Sequence, residues 1–416
     1  MKFFNIALCI LMAHIHVSAQ VIYDEDKVPA YQLPGILESQ SVSQWESDRR
    51  PELLRLFETT MYGRFPSQNI TVSFEVTDTD PRALAGKAIR KNVVMSFSKG
   101  GKTVTADLLL YLPAGSSGPV PVFLGMNFYG NHTIQPDPGI PITQSFVLNS
   151  DEFNIRNNTA TEASRGVRVG RWPVEQLIDR GYGLATIFYG DLDPDFDDGF
   201  QNGVHALLDK GDGFEPGELS AISAWSYGLS TAMDYLVTDT QVDAAHVAVI
   251  GHSRLGKAAL WAGALDQRFS MVISNNSGCG GAALSRRRFG ETVERINTQF
   301  PHWFCDAFTS FNNRENELPI DQHMLLALLA PRPVYVASAE EDQWADPRGE
   351  YLSLYHASEV YKCYGESGIG SDEMPGVNAP LRAGSMGYHI RTGAHDLTGY
   401  DWAQYLEFAD YHWKRK

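Results

Sequence analysis

The chain has 416 residues, 43% of them hydrophobic and 20% charged, which supplies enough apolar material for a large core and argues against a disordered polypeptide. Its 34 basic residues against 50 acidic ones leave a formal charge of −16, so no nucleic-acid partner is expected. Beyond the N-terminus no stretch has the ~18 uninterrupted apolar residues of a membrane-spanning helix, and no membrane anchor is expected.

In chain order, Lys2 is followed by an apolar run from Phe3 to Met12 and by Val17-Ser18-Ala19 before Gln20. This is the layout of a secretory signal peptide over residues 1–19, which implies a secreted or periplasmic protein. Residues 20–416 are expected to form one catalytic domain, and nothing in the sequence asks for more than a monomer. Three cysteines remain after cleavage: Cys279, Cys305 and Cys363. That odd count permits one disulfide at most, and the spacings match no zinc pattern.

Glu52 to Glu58 has the apolar spacing of a short amphipathic helix. Lys91 to Phe97 and Thr103 to Leu112 flank Ser98-Lys99-Gly100-Gly101-Lys102 and read as a hairpin. A buried strand is expected at Val120 to Met126. Residues 133–170 then lack periodicity, and a loop of that length in a compact domain is usually functional or disordered. It is expected as an insertion over the active-site mouth.

From there apolar strands alternate with helices. The strand Leu184 to Tyr189 precedes a helix from about Glu218 to Val237, and the strand Val247 to Ile250 precedes a helix from Leu255 to Leu265. Met271 to Ser274, the helix Gln322 to Leu329, the strand Val334 to Ser338 and a terminal helix around Trp402 to His412 continue the pattern. Such repetition predicts an α/β fold, a mostly parallel central sheet with helices on both faces in three layers, with ligands at the carboxyl ends of the strands.

The most informative stretch is Val247-Ala248-Val249-Ile250-Gly251-His252-Ser253-Arg254-Leu255-Gly256-Lys257. An apolar strand runs into a glycine-flanked serine and straight into a helix, which is the context of a nucleophile elbow in an α/β-hydrolase fold. The usual G-x-S-x-G spacing is broken, because Leu255 holds the second glycine's place and Gly256 comes one later. Serine needs a base to take its proton and a carboxylate to orient that base. In α/β-hydrolases the chain order is serine, acid, histidine. His395, in Gly393-Ala394-His395-Asp396 just before the last helix, is the candidate base, with His389 as its nearest rival. Asp342 is the candidate acid, in the loop after strand 334–338, which is read as the penultimate strand; Glu341 and Asp346 are its rivals.

At these residues the sequence resembles the glucuronoyl esterases, carbohydrate esterase family 15, particularly the bacterial branch. The resemblance runs over nearly all of the mature chain. It rests on Gly251-x-Ser253-Arg254-x-Gly256-Lys257, Ser277-Gly278-x-Gly280-Gly281, Arg286-Arg287-Arg288-Phe289-Gly290-Glu291, Asp342-x-Trp344 and Gly393-x-His395. Fungal members carry the acid at the position of Asn276, and an amide cannot orient an imidazolium by charge, so the resemblance moves that role to Asp342.

The resemblance implies hydrolysis of the ester between a 4-O-methyl-glucuronic acid on xylan and a lignin alcohol, with glucuronoxylan or a lignin-carbohydrate ester as the partner. It gives Arg254 to the oxyanion and the new carboxylate, and Lys257, Glu291 and Trp344 to the sugar. No metal and no organic cofactor is implied. A carbohydrate deacetylase or feruloyl esterase on the same fold is the alternative enzyme, since fold and triad do not specify the acyl group. A carbohydrate-binding protein with a decayed site is the alternative from another class.

Overall fold

The computed structural model describes residues 21–37, 41–209 and 215–414. The signal-peptide expectation falls on residues 1–19, outside that set. Ten strands form one sheet among the described residues: β1 Thr71–Arg82, β2 Ala88–Lys99, β3 Lys102–Pro113, β4 Val120–Asn127, β5 Gly183–Phe188, β6 Val242–His252, β7 Met271–Asn275, β8 Val334–Ala339, β9 Leu381–Ala383 and β10 Met386–Arg391. Their spatial order is β1-β2-β3-β5-β4-β6-β7-β8-β10-β9.

The centre of the sheet, from β5 through β10, is parallel, and the outer pairs are antiparallel. Strands buried on both faces read as continuous apolar runs, which is why the central ones stand out in the sequence. Along β6, β7 and β8 the side chains alternate between two cores. Val247, Val249, Val272, Val334 and Val336 pack on one face with the helices Arg50–Phe57, Ala221–Leu236, Arg254–Leu265, Gln322–Ala327 and Pro347–Cys363. Ala248, Ile250, Ile273, Tyr335 and Ala337 pack on the other with Trp172, the helix Val174–Asp179 and the helix Gly399–Trp413. The three-layer expectation holds.

Three elements depart from the sequence reading. Strand β1 was not expected; it is an edge strand, exposed along most of its length and carrying Asp78, Asp80 and Pro81. The helix Pro347–Cys363 was also missed, although Asp346 caps it by accepting from Gly349 N at 2.9 Å. Strand β8 is followed by both β9 and β10, so it is penultimate only among the parallel strands. All three cysteines are free thiols, so the one permitted disulfide is not formed. No helix among the described residues is long and apolar enough to cross a membrane.

Candidate active site

The parallel strands end on one rim, and the chain leaves each of them into a residue of the candidate site. From β6 it passes directly into Ser253, whose φ of 58° and ψ of −131° lie outside the regions open to ordinary side chains. A Cβ at residue 251 would come within 1.9 Å of Leu255 O, so only glycine permits the turn. At residue 256 it would meet Ser277 Cβ at 2.9 Å. The second glycine is therefore displaced by one because the close approach is to the loop after β7, at the helix face where Gly256 lies. The helix Arg254–Leu265 starts immediately after Ser253, and its N-terminus brings the positive end of the helix dipole beside that serine.

From β8 the chain reaches Asp342, and from β10 it reaches His395. His395 Nδ1 donates to Asp342 Oδ2 at 2.6 Å. The same oxygen accepts from Asn276 Nδ2 at 2.9 Å, so that amide braces the carboxylate. His389, by contrast, is wholly buried between Asp401 (2.8 Å) and Tyr335 (3.1 Å). Asp346 is tied to Arg287 at 2.8 Å and to its own helix, and Glu341 is exposed. Among the carboxylates weighed for the acid, Asp342 is the one that meets the imidazole.

Ser253, Arg254, Lys257, Glu291, Asp342, Trp344 and His395 line one cavity of about 490 Å³. Lys257 is buried, not a surface charge, and its ammonium donates to Ser277 O. Burial pushes its pKa down while Glu291 pulls it back. Burial likewise pushes the Glu291 carboxyl up, opposed by Lys257 and Trp344. Glu291 is delivered by the arginine run before it, which is structural: Arg286 pairs with Asp321, Arg287 with Asp346 and Arg288 with Glu315. A Cβ at residue 290 would strike Trp344 O at 2.5 Å, and this close contact keeps Glu291 beside the Asp342-x-Trp344 loop.

Arg254 pairs with Asp195 and lies over the ring of Trp303, 4.6 Å from its centroid, with Phe300 and Phe128 at 5.5 and 5.7 Å. Burial works against its charge, but Asp195, with Tyr189 and Tyr129 adding to it, raises the pKa on balance. None of these partners was foreseen in the sequence. His252 was not foreseen either; its ring centroid is 4.5 Å from that of His395. Burial and the neighbouring His395 hold its pKa well below the usual range, and its Nδ1 contacts Asn275 Oδ1 at 2.6 Å.

Glu350 was also missed. Fully buried, it accepts from Ser277 N at 2.8 Å, Gly278 N at 3.0 Å and Ser338 Oγ at 2.6 Å, and so pins the loop that holds Asn276.

A second hollow of about 250 Å³ meets the first at Ser253, Arg254 and His395. Its walls are Phe128, Tyr129, Phe153, Arg168 and Arg171, and Glu152 stands at its side. Phe153 and Arg168 belong to the irregular segment 133–170, with the guanidinium carbon 4.6 Å from the ring centroid. Among the described residues no group of three or more His, Cys, Asp or Glu side chains gathers in an arrangement able to hold a metal ion.

Comparison with known proteins gives this geometry its relatives. The family model described as glucuronyl esterase, fungi, matches residues 214–365. A carbohydrate esterase from an unknown prokaryotic organism is 52% identical over 399 residues, spanning 94% of this chain and 91% of its own length. A promiscuous esterase of carbohydrate esterase family 15 from a marine bacterial metagenome superposes with a TM-score of 0.89 at 50% identity, covering 94% of this chain and 100% of that one. A glucuronoyl esterase from Solibacter usitatus gives 0.87 at 47% identity, covering 93% and 100%.

Proposed function

The chain belongs to carbohydrate esterase family 15, and from that premise we propose that it is a 4-O-methyl-glucuronoyl esterase, cleaving esters between glucuronic acid side groups of xylan and lignin alcohols. The observation that carries the reading is the composition of the 490 Å³ cavity: beside Ser253 stand an arginine fork, a buried lysine with a half-buried glutamate, and a tryptophan. The lysine and glutamate offer a donor and an acceptor to sugar hydroxyls, the indole a flat face to the ring, and the guanidinium N–H donors to the oxygens of the sugar's carboxyl group.

In this mechanism Ser253 Oγ attacks the ester carbonyl while His395 Nε2 takes its proton, the other ring nitrogen being held by Asp342. Charge that collects on the carbonyl oxygen is met by Arg254 and by the N-terminus of the helix Arg254–Leu265. His395 then protonates the departing alcohol, which occupies the hollow walled by Phe128, Tyr129 and Phe153. Water enters, His395 activates it, and the glucuronate leaves Ser253. The reaction is assigned to the periplasm or the cell exterior because residues 1–19 read as an export signal.

The test is a comparison of kcat/KM on benzyl glucuronate, an acetylated xylan fragment and a feruloyl ester. Glucuronate esters should be faster by at least about tenfold, and Ser253→Ala should lose on the order of 10⁴ or more in kcat with the fold intact. If acetylated xylan or the feruloyl ester is the better substrate, the glucuronoyl reading fails. If Ser253→Ala keeps a tenth of the activity, the nucleophile assignment fails with it.

A further inference from the structure

An arginine that stabilises an oxyanion must hold one orientation, and fixing such a long side chain costs rotamer entropy. The structure supplies the post to which Arg254 is fixed. After β5 the chain makes a short helical turn, Tyr189–Leu192, and delivers Asp195. Its side chain is 2% exposed.

Its carboxylate takes four donors. Arg254 Nη1 and, at 3.0 Å, the Tyr189 hydroxyl bond to Oδ2; His302 Nε2 at 3.0 Å and Trp303 Nε1 at 2.7 Å bond to Oδ1. Two donors per oxygen use the lone pairs a carboxylate has. Burial would push this acid up, but His302, Arg254 and Trp303 hold it down at about 2. Three of the four donors belong to the framework, so the carboxylate is fixed before the guanidinium docks on it. The Trp303 ring that bonds Asp195 is the one lying against Arg254, so one carboxylate orders both the charge and its apolar bed.

We propose that Asp195 is a positioning residue, which aims the Arg254 fork at the ester oxygen while taking only one of its donors. The inference rests on the reading of Arg254 as oxyanion donor. It has a cost built in, since an anion beside a guanidinium weakens the field at the substrate, and the gain in orientation has to exceed that. An asparagine at this place cannot serve all four donors. Whichever way its amide turns, an N–H₂ faces either the Arg254 and Tyr189 pair or the His302 and Trp303 pair.

The experiment is a double-mutant cycle on benzyl glucuronate with wild type, Asp195→Asn, Arg254→Ala and the double variant, each checked by thermal melting. Asp195→Asn should lower kcat by about 30-fold or more and change KM by less than about threefold, because misaimed stabilisation is lost in the transition state. In the Arg254→Ala background the same change should cost less than about threefold, since there is no fork left to aim. Equal losses in both backgrounds, or an unchanged or raised kcat in the single variant, overturn the proposal and leave the Arg254 reading standing. A neutral Arg254→Ala overturns the oxyanion reading and this one together. If Asp195→Asn does not fold, Tyr189→Phe removes one donor from the same carboxylate. Its loss, about threefold, should likewise vanish without Arg254, and persistence there overturns the proposal.

Discussion

Replacing Asp342 by asparagine isolates the charge of the acid from its shape. Asp342 Oδ2 receives His395 Nδ1 at 2.6 Å and Asn276 Nδ2 at 2.9 Å, and the side chain of His395 is 42% exposed. When the imidazole takes the serine proton, a full ion pair forms there. Two unit charges centred about 4 Å apart attract by ~4 kcal/mol at an effective dielectric of 20, and exposure of the ring trims this to about 3 kcal/mol. Loss of that term alone lowers kcat by about 10² to 10³. The amide also offers an N–H₂ to Nδ1 in one of its two orientations, which favours the wrong tautomer and carries the loss toward about 10⁴. The assay is steady-state hydrolysis of benzyl glucuronate with melting as a control for folding, with Asn276→Ala alongside. Asp342→Asn should be impaired far more than Asn276→Ala, which loses a brace and no charge. Retention of a tenth of kcat by Asp342→Asn, or equal mild effects of the two changes, would refute the reasoning and return the role to Glu341 or Asp346.

Lys257→Met should raise KM on glucuronate esters and lower kcat/KM by about 10- to 100-fold, the worth of one or two hydrogen bonds from a buried charge; an unchanged KM would remove it from the sugar site. Phe153→Ala should reduce kcat/KM on benzyl glucuronate by about three- to tenfold and leave methyl glucuronate unaffected, and equal effects on both esters would contradict the assignment of the alcohol side. Burial pushes Glu350 from the usual 4.5 up to about 8, with Asp342 adding to it. The folded chain therefore holds this proton more tightly than the unfolded one, so its contribution to stability is full below about 4.5 and is lost as pH rises toward 8, by up to ~1.4 kcal/mol per pH unit. Glu350→Gln cannot ionise, so its melting temperature should fall less than the wild type's between pH 5 and 8; parallel curves would refute the shift.

The parts of the site that could be read from sequence are those written locally. Gly251, Ser253 and Gly256 fall within a few residues, and the apolar run before them marks the buried strand that ends there. His395 sits in a glycine-marked loop before a capped helix. Asp342 could be preferred in the sequence but not separated from its rivals Glu341 and Asp346, because three carboxylates in one loop differ only in where the fold turns them. The anchoring of Arg254 had no local signal at all: Asp195, His302 and Trp303 lie 59 to 108 residues from their partners along the chain. Strand β1 escaped because an edge strand carrying Asp78, Asp80 and Pro81 shows no buried pattern. The helix Pro347–Cys363 escaped because burial on most sides, with residues such as Glu350 and Ser353 in the interior, erases the polar face that marks a surface helix.

Two hollows meet at Ser253, Arg254 and His395, and on the proposed reading each takes one of the two products. In the proposed mechanism the alcohol departs along Phe128 and Phe153 while the sugar acid stays covalently on the serine, beside Lys257 and Glu291 of the larger cavity. The acyl-enzyme then stands with an open channel on one flank, and whatever nucleophile fills that channel decides the outcome. Water gives the free acid; a returning or foreign alcohol gives a new ester. If that hollow is the alcohol side, as proposed, its walls at Phe153 and Arg168 decide which nucleophile reaches the acyl-enzyme, and substitutions there should shift the balance between hydrolysis and transesterification more than the rate of bond cleavage.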